Sequence, residues 1–129
     1  MMDTFQRPKA QVHIRQAGPE TCILDVEGEL TAFAEAALMA AYTQACDAGV
    51  RAVVLNFEEL EYMSSSGIGL LVTLLIRAQR RQQRLLAYGL SEHYRHILEL
   101  TRLNEAIVIY ATEGEALAGA EALAQPVSP

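Results

Sequence analysis

The sequence contains no tryptophan, only two cysteines, and ten lysines and arginines against sixteen aspartates and glutamates. The resulting net charge of −6 argues against broad nucleic-acid binding, which needs a basic footprint. Neither Cys22, in a strand pattern, nor Cys46, late in a helix pattern, has a second cysteine or a histidine at metal-ligand spacing. Both have apolar neighbours and read as small buried thiols rather than a disulfide. Residues 1–8 lack the apolar stretch of a signal peptide. The longest apolar run, 68–76, is far too short to span a bilayer. A cytoplasmic location is the expectation. What is present is 129 residues, 51% of them hydrophobic and 20% charged, which fits one soluble domain that buries its own core.

Residues 1–10 read as a loose arm, 11–124 as the domain, and 125–129 as a frayed tail. Val12 and Ile14, then Cys22, Leu24 and Val26, alternate with polar residues around a turn at 17–20, predicting a hairpin with one wet face. A helix is expected over 32–48, with Ala34, Ala37, Leu38, Ala41, Tyr42 and Ala45 on one side, Thr31 as cap and Gly49 just beyond the end. Residues 51–57 do not alternate and read as a central strand covered on both faces. Glu58-Glu59-Leu60-Glu61 reads as an acidic connection. A helix to about Gln83 follows, its basic end complementing the helix dipole. Beyond it come a strand over 85–90, a helix from Ser91 to about Leu103, a strand over 106–110 and a helix over 112–124. The order β-β-α-β-α-β-α-β-α implies an α/β fold: a mostly parallel mixed sheet with the first strand antiparallel, packed against helices.

The chain turns on Tyr62-Met63-Ser64-Ser65-Ser66-Gly67-Ile68-Gly69, where a buried strand gives way to a buried helix. Hydroxyls there can cap the first-turn N–H groups, and the positive end of the helix favours a negative charge. Nucleotide motifs fail: Val72 stands where a dinucleotide fingerprint wants its last small residue, and no Gly-Lys-Ser/Thr occurs. A hydrolase elbow fails because Met63 replaces its first glycine. His93 and His96, three residues apart, read as solvated side chains, and His13 as the exposed member of its strand. No catalytic set, cofactor site or metal site is assembled. Simple capping is one reading of the serines. The other is a site whose phosphorylation, adding roughly −1.5 to −2 charges, changes the surface a partner reads.

The run from Phe57 to Gly69 resembles the signature of STAS domains, the sulfate-transporter and anti-sigma-factor-antagonist family. The likeness extends over about 10–122 and includes Gly28-Glu29-Leu30, Leu100-Thr101-Arg102-Leu103 and Glu115-Ala116-Leu117. It implies binding rather than catalysis. A free-standing antagonist of this family binds an anti-sigma factor that is also a serine kinase, is released by phosphorylation, and is restored by a metal-dependent phosphatase. By position the phosphoacceptor is Ser65, with Ser66 beside it. The implied partner surface is Tyr62, Met63, Ser64, Ser65, Ser66, Gly67 and Gly69, with the approach at 28–31. Two acidic positions of the family are neutral here: Ser64 precedes the acceptor, and Asn56 ends the strand. No direct DNA contact and no membrane span are expected, and a weak homodimer is a further expectation. The alternative is a STAS scaffold that is never phosphorylated, an accessory subunit of a signalling or lipid-transport complex.

Overall fold

The computed structural model describes residues 10–45 and 49–124. The rest of the expected N-terminal arm, Cys46 with the helix end over 46–48, and the tail over 125–129 lie outside the described residues; Ala10 is buried.

Strands β1 (Gln11–Gln16) and β2 (Thr21–Leu30) form an antiparallel hairpin, with Gln11 opposite Glu27. A 3-10 turn over Ala32–Ala34 follows, then helix α1 (Glu35–Ala45), strand β3 (Ala52–Asn56), strand β4 (Leu60–Met63) and helix α2 (Ser65–Arg80). Strand β5 (Arg84–Tyr88), helix α3 (Glu92–Leu100), a 3-10 turn over Leu103–Glu105, strand β6 (Val108–Tyr110) and helix α4 (Glu113–Ala124) complete the described chain. The sheet order is β1-β2-β3-β5-β6, parallel except at β1.

Two hydrophobic layers sandwich this sheet. Leu24, Val26, Val53, Leu55 and Ala87 pack with Leu38, Leu71, Leu74 and Leu98 from α1, α2 and α3. On the other face Ile23, Val54, Leu86 and Tyr88 pack against Ala116 and Ala120 of α4. The sandwich explains the unbroken apolar run at β3, whose residues 52–55 are fully buried. It also corrects the expectation for β2. That strand is covered on both faces over Thr21–Leu24 rather than wet on one, because α4 closes over Ile23.

The acidic connection is corrected too. Leu60–Met63 is a strand, β4, lying parallel to the far end of β2, where β2 runs on past the last residue of β3. The register jumps there: Gly28 faces Leu60 while Glu29 faces Tyr62, so Glu61 is a bulged extra residue. Gly28 has φ +91, a value that suits glycine. In α1, Leu38, Met39, Ala41 and Tyr42 are the buried residues, and Ala37 faces solvent, off the buried stripe. Helix α2 ends at Arg80 rather than Gln83, since Gln82 takes φ +59 and Gln83 turns inward. There Gln83 is buried, accepting the Tyr42 hydroxyl at 2.7 Å and donating to the Val50 carbonyl at 3.2 Å.

Candidate functional site

The serine corner is fixed from both sides before the serines begin. As β3 ends, Asn56 Oδ1 accepts the Glu58 N–H at 2.9 Å, and the Phe57 N–H donates to the Tyr88 carbonyl at 2.9 Å. Gly89, with φ +83, lets Glu58 pass close by; a Cβ there would lie 2.8 Å from the Glu58 nitrogen. Strand β4 then delivers Met63, whose N–H donates to the Tyr94 hydroxyl at 3.0 Å. Next, the Ser64 N–H donates to the Leu30 carbonyl at 3.0 Å, tying the corner to the end of β2.

Ser64 is the cap of α2. Its backbone is extended (φ −85°, ψ 173°), and its Oγ accepts the Gly67 N–H at 3.1 Å. With Ile68 N–H bonded to the Ser64 carbonyl, the N–H groups of Ser65 and Ser66 are the ones left open in the first turn. The side chains of Ser65 and Ser66 are exposed, and neither hydroxyl has a hydrogen-bond partner among the described residues. A helix start with two open N–H groups and no acidic side chain in its first turn is a favourable place for added negative charge.

The residues expected at the surface therefore divide. Tyr62, Ser65, Ser66 and Gly69 are exposed, and Ser64 is half-buried by its capping role. Met63 and Gly67 are buried beneath these exposed residues. Gly67 has no room for a side chain, because a Cβ would stand 2.1 Å from the Leu30 carbonyl oxygen. Residues 28–31 run beside the serines: Leu30 pairs with Met63 and lies against Gly67. Among the described residues no group of His, Cys, Asp or Glu is arranged to hold a metal ion. His13, His93 and His96 are exposed, and Cys22 is fully buried.

A polar network that sequence patterning missed lies beside the corner, on the α4 face. Arg15 makes a two-pronged pair with Asp25 (2.7 and 2.8 Å) and reaches Glu113 at 2.8 Å. The Asn56 amide donates to Asp25 at 2.7 Å, and the Tyr88 hydroxyl donates to Glu113. Burial pushes the Asp25 carboxyl up, but the Arg15 guanidinium and the Asn56 amide outweigh it and hold it below its ordinary value. Arg15, then Tyr88, hold Glu113 below the ordinary range as well. Burial and the neighbouring Glu113 push the Tyr88 phenol up. Both carboxylates thus stabilise the fold above their unfolded pKa, about 4, and lose that contribution as pH falls through their depressed folded values. Arg15→Ala should flatten this acid limb. Urea midpoints measured from pH 7 down to pH 2 check it, and an unchanged pH slope in Arg15→Ala would contradict the network's role.

The STAS domain family matches residues 11–116. The chain belongs to the STAS domain family. The anti-sigma-B factor antagonists of Listeria monocytogenes and Listeria innocua are each 34% identical over 61 residues, 47% of this chain and 54% of theirs. The chain thus spans about half the length of these curated relatives. Among solved structures, the STAS domain is similar to the anti-sigma factor antagonist SpoIIAA in its unphosphorylated form, with TM-score 0.64 and 24% identity, covering 85% of this chain and 97% of that one. The Bacillus cell fate determinant SpoIIAA in its phosphorylated form gives TM-score 0.62 and 26% identity over 84% and 97%. An anti-sigma factor antagonist from Mycobacterium paratuberculosis gives TM-score 0.75 and 18% identity over 87% and 94%. Among the described residues no helix is long and apolar enough to cross a membrane.

Proposed function

We propose that this STAS domain is an anti-sigma factor antagonist whose partner is an anti-sigma factor with serine kinase activity, and that phosphorylation of Ser65 switches the complex off. The observation that carries the reading is the exposed, unbonded Ser65 hydroxyl in the first turn of α2, with Ser64 already committed to the cap. Family membership and the antagonists among its relatives support it. So does a solved relative described in a phosphorylated form. A phosphoryl group on Ser65 would add roughly −1.5 to −2 charges beside two open N–H groups. It leaves the cap bond intact, so the domain keeps its fold and changes its surface. A serine phosphatase acting on the modified form would reset the switch. The chain acts by docking and catalyses nothing itself.

One observation favours the scaffold reading: both acidic positions of the family pattern are neutral here, as Ser64 and Asn56. Binding separates the two readings. The anti-sigma factor kinases of the same organism, each purified, are titrated with wild type and with Ser65→Asp. The switch predicts that Ser65→Asp binds its kinase at least tenfold more weakly, a difference of about 1.4 kcal/mol. Equal binding of the two proteins favours the scaffold.

A further inference from the structure

Phe33 is 78% exposed, the largest exposure among the apolar side chains that stand out from the described surface. A ring left in water forgoes most of the stabilisation that burial supplies. Yet the turn that carries it is firmly built. The Phe33 N–H donates to Thr31 Oγ1 at 3.2 Å, the Ala34 N–H donates to the Thr31 carbonyl at 2.9 Å, and Ala34 is buried. The backbone on both sides of Phe33 is held while the ring stands outside. This turn packs against α2, and Leu30 immediately before it accepts the Ser64 N–H. Tyr62, 48% exposed, lies on β4 opposite Glu29. The two aromatic residues and the two open serines therefore belong to one end of the molecule.

The two segments that carry the rings and the serines hold charge of one sign. Residues 28–35 and 57–69 contain Glu29, Glu35, Glu58, Glu59 and Glu61 and no lysine, arginine or histidine. Rigid aromatic rings surrounded by charge are the make-up of an interface core within its rim. A partner that covers them must bring the opposite charge, because unpaired carboxylates are costly to desolvate.

We propose that Phe33 and Tyr62 are the anchors of the partner complex, seated in an apolar pocket on the anti-sigma factor that is rimmed by lysine and arginine. This rests on the function proposed for Ser65 and adds how the partner is gripped.

The experiment uses the full chain and the kinase that modifies Ser65, with binding followed by surface plasmon resonance at low and high salt. Phe33→Ala and Tyr62→Ala should each weaken binding roughly tenfold or more, mainly through faster dissociation. Leu100→Ala, which removes a 70% exposed side chain at the far end of α3, should leave binding unchanged. Glu58→Lys with Glu61→Lys should slow association and reduce its salt dependence. Thermal midpoints of all variants should stay near wild type, since the altered side chains are exposed. Wild-type affinity in Phe33→Ala and Tyr62→Ala, with Ser65 still modified, overturns the anchors alone. Should size exclusion show that these rings instead join two copies of the chain, with kinase binding unaffected, the anchors are equally overturned. If no kinase binds or modifies Ser65, the proposed function fails and takes this inference with it.

Discussion

Gly67→Ala is expected to destabilise the domain by roughly 3 kcal/mol, near the upper end for a single added methyl group. The new Cβ would sit 2.1 Å from the Leu30 carbonyl oxygen and 2.9 Å from its carbon, so the clash is with backbone, not with a side chain that can swing away. That oxygen already accepts the Ser64 N–H at 3.0 Å. Opening a gap for the methyl would stretch the bond that joins β2 to the serine corner. The capping bond from Gly67 N–H to Ser64 Oγ would be disturbed as well. Gly69→Ala, two residues on in the same helix, is the control. Nothing lies within 4 Å of its Cβ position, so removing backbone freedom should stabilise by about 0.5–1 kcal/mol. Urea denaturation of the two variants measures opposite signs if the close crossing is real. A Gly67→Ala protein within about 0.5 kcal/mol of wild type would show that it is not.

Asn56→Asp is the second large effect, and it tests why this chain lacks the acidic residue its family often carries there. The Asn56 amide donates to Asp25 at 2.7 Å while its oxygen accepts the Glu58 N–H. A carboxylate in its place would keep the second bond and set two like charges against each other in a half-buried site. Arg15 offsets part of the repulsion, leaving an expected loss of roughly 2–3 kcal/mol at neutral pH. The pH dependence has a definite sign. Like-charge contact raises a folded carboxyl pKa above its unfolded value, so the deficit is greatest at pH 7 and shrinks as the pH falls and one carboxyl takes up a proton. Asp25→Asn combined with Asn56→Asp should be more stable than Asn56→Asp alone, because an amide again faces a carboxylate. A double-mutant cycle on urea midpoints, giving a coupling above about 1 kcal/mol, measures this. Additive effects would mean that the two side chains do not depend on each other.

Much of the architecture was legible because its signals are local. The unbroken apolar run at β3, the cap at Ser64 and the apolar start of α2 together mark a strand-to-helix corner within a dozen residues. The Thr31 cap was legible for the same reason, and its hydroxyl accepts the Phe33 N–H. What escaped depends on pairings far apart in sequence. Strand β4 is four residues long, carries Glu61 and Tyr62 outward, and exists because β2 extends past β3 to meet it. Ile23 fell on the face read as wet, since nothing near it announces that α4 will cover that side. Gln83 looked like the end of a charged helix, but its amide is needed to join Tyr42 to Val50. At the site, patterning found the serines and could not find Phe33, whose exposure breaks no periodicity. Asn56 stood out only as a departure from the family; its reason, Asp25, lies across the strand register.

Whether Ser65 carries the switch is decided by incubating the full chain with ATP and each anti-sigma factor kinase of the same organism, then locating any added phosphoryl group by intact mass and peptide fragmentation. One group on Ser65, absent in Ser65→Ala, is the expected result. A group placed on Ser66 or elsewhere, or an unmodified chain beside kinases shown to be active, would contradict it.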